Sequence, residues 1–234
     1  MIKNLHAGRM LVLDIYCHEL SLISFPIRPL RIAVVGGNAR ERELEFFREK
    51  YEGSEIAFFG ISEGDLFLDL NMDMTCWLVS AKYQFDMVIC CQVLEHVWDI
   101  GNAVKNLSQL VAQGGFLWLN VPSSNMKHDS PSFYSAGYQS QLFVKLFKKL
   151  GIREIASGEI GTKRLYRMTH KQQFWPSMHV LRNPFLRGID DRRLLFPLKF
   201  VKYFFFSLEA MTWSNKIETN SQHATETYFL GFKT

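Results

Sequence analysis

The chain has 234 residues, 47% of them apolar and 21% charged, with a formal net charge of +4 at pH 7. That size and apolar share support one sizeable core with a small appended region, and they exclude an intrinsically disordered chain. The charge is mild and no Lys/Arg-rich block occurs, which argues against a nucleic-acid binder while leaving room for an anionic ligand or a membrane surface.

Four cysteines, Cys17, Cys76, Cys90 and Cys91, show no metal-ligand spacing. No metal site is expected, and a reduced, cytoplasmic protein is the economical reading. Residues 1–30 form an N-terminal extension expected to pack on or cap the main fold. Within it, residues 10–13 and 20–23 read as helix or strand, and Pro26 and Pro29 mark a break. His6, Arg9, Asp14 and Glu19 interrupt its apolar residues, so a clean signal-peptide core is lacking.

Residues 31–35 read as a short buried strand. Gly36, Gly37, Asn38, Ala39 and Arg40 follow, and then a helix-forming run over 41–47. Strand, glycine turn and helix are the parts of a nucleotide-binding βα unit, although an ordinary glycine turn would read the same. Residues 56–60 are the second strand, with Ser62, Glu63 and Asp65 just beyond it. Asp69, Leu70 and Asn71 fit an Asx-type turn between elements.

Residues 85–91 are an almost unbroken apolar run, as suits a parallel strand buried on both faces. Asp86 marks its structural end. Gln92 to His96, with helical spacing at 94–96, fall at its carboxyl end, where open α/β sheets bind ligands. Adjacent Cys90 and Cys91 point to opposite faces of the strand.

Asp99 is a plausible N-cap for an amphipathic helix over 100–111, with Gly114 and Gly115 expected to stop it. Residues 116–121 are the next buried strand, closed by Pro122. The polar, turn-rich segment 123–134 is then a loop over the crevice. Its His128 can take a proton near neutral pH, and Asp129 can orient a partner or act as base. An amphipathic helix over 139–150, ended by Gly151, leads to a strand at 152–160, and residues 224–233 have the composition of a final strand.

Between those two strands, residues 161–223 form an aromatic and basic insertion that includes Arg164, Tyr166 and the run 192–206. Lys199, Lys202 and Glu209 rule out a comfortable spanning helix. Peripheral contact of 192–206 with an anionic membrane is one reading. Packing on the core or on a second copy of the chain is the more ordinary one.

The stretch Phe85-Asp86-Met87-Val88-Ile89-Cys90-Cys91-Gln92-Val93-Leu94-Glu95-His96-Val97 resembles the fourth-strand motif of class I S-adenosylmethionine-dependent methyltransferases, in which Phe-Asp opens the strand and Leu-Glu-His-Val closes it. The order that follows (helix, Gly-Gly, apolar strand, Pro) is similar to the family's approach to its fifth strand. The resemblance implies an α/β, Rossmann-like fold with a mostly parallel seven-stranded sheet and helices on both faces. It divides the chain into the 1–30 extension, a cofactor-binding core of 31–160 with 224–234, and the 161–223 insertion capping the acceptor site. It implies S-adenosylmethionine as cofactor, with Gly36, Gly37 and Asn38 at the methionine end and Ser62, Glu63 or Asp65 at the ribose. Asp69 and Leu70 would border the adenine, and Gln92 would lie below the sulfonium.

The same resemblance places His96, Tyr134, Arg164 and Tyr166 toward the acceptor and makes His128, with Asp129, the candidate base. The glycine loop departs from the family's Gly-x-Gly-x-Gly at Asn38 and Arg40, and Ser62 stands where an acid is usual. The implied activity is methyl transfer to a small acceptor, with O-methylation of a sugar or phosphate-bearing metabolite in bacterial surface-glycan biosynthesis as the specific expectation. A non-catalytic binding subunit of the same fold is the alternative. A nicotinamide-dependent oxidoreductase is disfavoured because the loop lacks Gly-x-Gly-x-x-Gly. A homodimer is a further expectation.

Overall fold

In the computed structural model the described residues are 7–61, 64–78, 80–124, 132–161, 218–219 and 224–234. Eight strands form one sheet: β1 (Arg31–Val35), β2 (Glu55–Gly60), β3 (Leu66–Phe67), β4 (Phe85–Cys91), β5 (Val111–Pro122), β6 (Ile152–Gly161), β7 (Glu218–Thr219) and β8 (Glu226–Lys233). Their order is β3-β2-β1-β4-β5-β8-β6-β7. The first five run parallel, while β8 inserts antiparallel between β5 and β6. The expected seven strands are therefore present, and the two-residue β7 extends the edge beside β6.

The apolar runs explain the layering. β1, β4 and β5 have few polar residues because both of their faces are covered. Ala33, Val35, Val88, Cys90, Leu117 and Leu119 face one core cluster, with α4 (Ile100–Leu110) and α5 (Ser140–Lys148) supplying Ala103, Leu107, Phe143 and Phe147. Ile32, Val34, Met87, Ile89 and Trp118 face the other cluster, with α1 (Ala7–Ser21) and α2 (Glu45–Lys50) contributing Val12, Tyr16, Leu20, Phe46 and Phe47. Cys90 belongs to the first cluster and Cys91 packs against the second, as strand alternation requires.

The ambiguous N-terminal segment is thus mainly one helix. Tyr16 packs on Trp118 with ring centroids 4.9 Å apart, and Phe25 packs on Phe116 at 5.1 Å. The helix and the segment after it thus lie against the same face of β5.

Three local expectations are corrected. Leu94–His96 is a single 3-10 turn rather than the start of an α-helix, since Val97 is already extended. The segment after the glycine loop opens with a 3-10 turn, Arg42–Leu44, before α2. Gly114 and Gly115 do not stop α4: Val111 is already extended, and both glycines lie inside β5. The register there jumps from Phe85↔Val111 to Met87↔Phe116, so the glycines build a bulge. A Cβ at Gly115 would come within 2.8 Å of the Phe85 carbonyl oxygen.

The structural end of β4 is tied down as its sequence suggests. Asp86 accepts from both terminal nitrogens of Arg28, at 2.9 and 2.6 Å, and from the Arg31 N–H at 2.9 Å. At the start of α4, the Asp99 carboxylate accepts the Asn102 N–H at 3.0 Å. At the other end of that helix, Lys233 donates to the carbonyls of Ser108 and Val111 at 2.8 Å each. Among the described residues no helix is long and apolar enough to cross a membrane.

Candidate active site

The sheet order reverses direction between β1 and β4, so a crevice opens past the carboxyl ends of these neighbours. Gly36 sits there with φ +72, exposed, its N–H donated to the Phe59 carbonyl at 2.8 Å. A Cβ on Gly36 would come within 2.5 Å of Val93 Cγ2, so the turn after β1 and the turn after β4 pack with no room for a side chain between them. Gly37 is equally confined, because a Cβ there would meet Val34 Cγ1 at 2.8 Å and Glu41 Cγ at 2.9 Å.

The rest of the loop is built without the family's further glycines. Asn38 Oδ1 accepts the Arg40 N–H at 3.0 Å, and Arg48 donates to the Ala39 carbonyl at 2.7 Å. An Asx turn and an arginine clamp thereby hold a loop that more glycines would otherwise leave looser.

Gln92 is the one non-glycine residue with positive φ (+57) among the described residues. A left-handed backbone at such a residue costs about 1 kcal/mol and persists only where surroundings enforce it. Here its N–H donates to the Asn120 carbonyl at 2.8 Å. Its side-chain nitrogen donates to Asn120 Oδ1 and Glu226 Oε2, at 3.0 Å each. Asn120 completes the cluster by donating to the same Glu226 oxygen at 3.2 Å and to the Thr227 carbonyl at 3.1 Å. Asn120 is fully buried and Glu226 is 4% exposed.

The 94–96 turn receives the segment that follows β5. The Glu95 carbonyl accepts from Tyr134 N–H at 2.9 Å and Ser135 N–H at 3.2 Å, and Tyr138 donates its hydroxyl to the Leu94 carbonyl at 3.1 Å. His96 Nδ1 lies 2.7 Å from the Ser132 carbonyl oxygen, and its ring meets Phe133 edge-on at 6.1 Å between centroids. Burial pushes the Tyr138 phenol above its usual pKa, with the Glu95 charge adding to the rise and Ser135 opposing it. His96 and Tyr134 are therefore brought together at the mouth of the crevice. His96 is tied to backbone through Nδ1, and Tyr134 is exposed.

Other expected site residues are placed differently. Asp65 lies alongside the middle of β2, where it donates its N–H to the Phe58 carbonyl at 2.9 Å and accepts the Phe58 N–H at 3.3 Å. It is thus not at the strand's carboxyl tip with Gly36. Asp69 uses one carboxylate oxygen for the Asn71 N–H at 2.9 Å, forming the Asx turn. Leu70 packs its side chain into the first core cluster rather than lying open to solvent. The reason is a polar knot beneath the turn. Asn71 Oδ1 accepts from Trp98 and Asp99 N–H, and Asn106 donates to the Met72 carbonyl at 2.7 Å. Ser62, Glu63, His128, Asp129, Arg164 and Tyr166 lie outside the described residues.

Val93, Asn120 and Glu226 are additions that the sequence reading missed. Asn120 had a signal, a lone amide in the apolar run 116–121. Glu226, 134 residues from its partner Gln92, had none beyond being a charge inside a strand pattern. No group of three or more His, Cys, Asp or Glu arranged to hold a metal occurs among the described residues.

A parallel sheet that reverses between β1 and β4, an antiparallel β8 inserted beside β5, and a glycine turn facing the end of β4 define a Rossmann-like domain of the class I methyltransferase type. Residues 23–119 match the family model of the methyltransferase domain, in keeping with what the motif at 85–97 implied. A ubiquinone biosynthesis O-methyltransferase of Mesorhizobium japonicum is 28% identical over 116 residues, which are 50% of this chain and 42% of that protein. Among solved structures, an S-adenosylmethionine-dependent methyltransferase from Archaeoglobus fulgidus is similar in fold (TM-score 0.52, 16% identity, 96% of this chain, 94% of that one). Phosphoethanolamine N-methyltransferase 2 of Haemonchus contortus, in complex with S-adenosylmethionine, is similar as well (TM-score 0.50, 10% identity, 94% of this chain, 52% of that one). The match to the curated relative spans less than half of that protein's length.

Proposed function

We propose that the protein is an S-adenosylmethionine-dependent methyltransferase acting on a hydroxyl of a small acceptor. The observation that carries this reading is the exposed Gly36 backbone at the switch point of the sheet, held in a left-handed turn whose Cβ position is already filled by the Val93 side chain. A methionine moiety needs such close backbone approach. The residues present fit the cofactor at that end, where Gly36, Gly37 and Asn38 would hold it. When bound, the cofactor supplies a methyl group on a positively charged sulfur.

The chain's own task is then alignment in a water-poor pocket and removal of the acceptor proton. Gln92 and Val93 would set the floor, Asp69 would border the adenine through its turn, and Ser62 or Glu63 would take the ribose. His128 is assigned as base, with Asp129 to orient it, and His96, Tyr134, Arg164 and Tyr166 are assigned to the acceptor. A hydroxyl acceptor is supported by the O-methyltransferase relative. A sugar or phosphate-bearing metabolite of bacterial surface-glycan synthesis suits the aromatic and arginine-containing insertion, because aromatic faces stack on sugar rings and arginines bind phosphate.

Asp65, committed to the β2 edge, favours one second reading: a binding subunit of the same fold that does not turn over. Single-turnover methyl transfer separates the two. His128→Ala is expected to lower the rate by about 10²-fold or more while leaving S-adenosylhomocysteine affinity near wild type. An unchanged rate would remove His128 as base, and binding without transfer to any acceptor in the wild type would favour the second reading.

A further inference from the structure

Behind Gln92, outside the donor loop, lies a cluster whose other members, Asn120 and Glu226, have no part in the reading above. Three strands meet in it: Gln92 follows β4, Asn120 is near the end of β5, and Glu226 opens β8. Three of its described hydrogen bonds hold Gln92 in its left-handed conformation, and Asn120 ties the same Glu226 oxygen and the Thr227 carbonyl into the cluster. The next residue, Val93, is the one that a side chain at Gly36 would strike. A chain of contacts therefore runs from the Glu226 carboxylate through the Gln92 amide and backbone to Val93 and the donor loop. Without the acceptor oxygen at Glu226, both amide nitrogens lose a described partner and the left-handed turn loses one of its three hydrogen bonds.

We propose that Glu226 is a positioning residue for cofactor binding, acting through the Gln92 turn to fix Val93 against Gly36. The inference rests on the proposed function, since it takes S-adenosylmethionine as the ligand of that loop. It assigns to the last strand a part in forming the donor site on the far side of β4. The role is geometric: Glu226 touches Gln92 and Asn120, and it need not touch the ligand.

Isothermal titration with S-adenosylhomocysteine on the full chain tests it in a double-mutant cycle. Glu226→Met keeps the bulk and removes the acceptor oxygen, and it should weaken binding about ten-fold, because the turn that places Val93 loses one of its three described hydrogen bonds. Glu226→Gln retains an amide oxygen and should bind within about three-fold of wild type. In a Gln92→Ala background, Glu226→Met should cost less than about two-fold more, because its route to the loop is already cut.

Wild-type affinity in Glu226→Met, or the full ten-fold loss repeated in the Gln92→Ala background, would overturn the proposal. A wild-type protein that does not bind S-adenosylhomocysteine would instead defeat the proposed function, and the cofactor part of this inference with it. Amide resonances in the ligand-free protein test the geometric part separately. Those of Gly36 and Val93 should move in Glu226→Met, and unmoved signals would overturn the coupling.

Discussion

Asp86 shows how one side chain fixes where a strand begins. Burial raises its pKa, but the hydrogen bonds from Arg28 and the Arg31 N–H, with the charges of both arginines, outweigh that and hold it below the usual carboxylate value. A group whose pKa is depressed by folding contributes stability above its unfolded pKa and loses it as pH falls through the folded value. Stability of the wild type should therefore drop more steeply below about pH 4 than that of Asp86→Asn. At neutral pH the substitution should cost about 1–2 kcal/mol, discounted for the half-exposed Arg28 partner. Urea unfolding from pH 2.5 to 7 measures both, and parallel pH curves would show that Asp86 is not a stabilising acid.

Several residue-scale features are legible in the sequence. Phe85-Asp86 marks the structural end of β4 because a lone acid beside a buried run needs donors at its edge. Gln92 was recognisable only as lying at the ligand end of the strand. Its left-handed backbone depends on Asn120 and Glu226, which approach through tertiary pairing that no local pattern encodes.

Helix α4 is the element whose start was clearest in the sequence and whose stop was not. Asp99 accepts the Asn102 N–H as an N-cap should. Asp99→Ala is expected to destabilise the protein by about 1 kcal/mol, measurable by chemical denaturation, and no change would mean that the cap contributes nothing beyond solvent. The same carboxylate also accepts from the Asn102 side-chain nitrogen at 2.9 Å, so the cost should lie toward the upper end for such caps.

The Gly114-Gly115 pair misled because glycines serve helix stops and strand bulges alike. What decides is the partner: the β4–β5 register shifts between Phe85 and Met87, and only a residue without Cβ fits against the Phe85 carbonyl. The 94–96 turn was read with helical spacing for a similar reason. Apolar spacing does not distinguish one 3-10 turn from the first turn of a helix, and here the docking of residues 132–138 onto the turn's carbonyls decides.

Across the whole molecule, the fold was more legible than the site. Apolar runs at 31–35, 85–91 and 116–121 require a sheet covered on both faces, and the order of strand, helix and glycine leaves few topologies. The site is assembled from the carboxyl ends of β1, β4 and β5 and the amino end of β8, with Glu226 134 residues from Gln92, so its second layer, Asn120 and Glu226, could not be read from spacing. Val93 was invisible for a different reason: a valine after a buried strand is ordinary until Gly36 is seen beneath it.

The central claim is that the crevice between the β1 and β4 turns binds the methyl donor through backbone at Gly36. Calorimetric titration of S-adenosylhomocysteine into the wild type and into Gly36→Ala tests it most directly. The wild type should bind, and the variant should lose at least about ten-fold in affinity, because its Cβ meets Val93 in a backbone conformation that alanine adopts only with strain. No binding by the wild type, or equal affinity in a folded Gly36→Ala protein, would contradict the account.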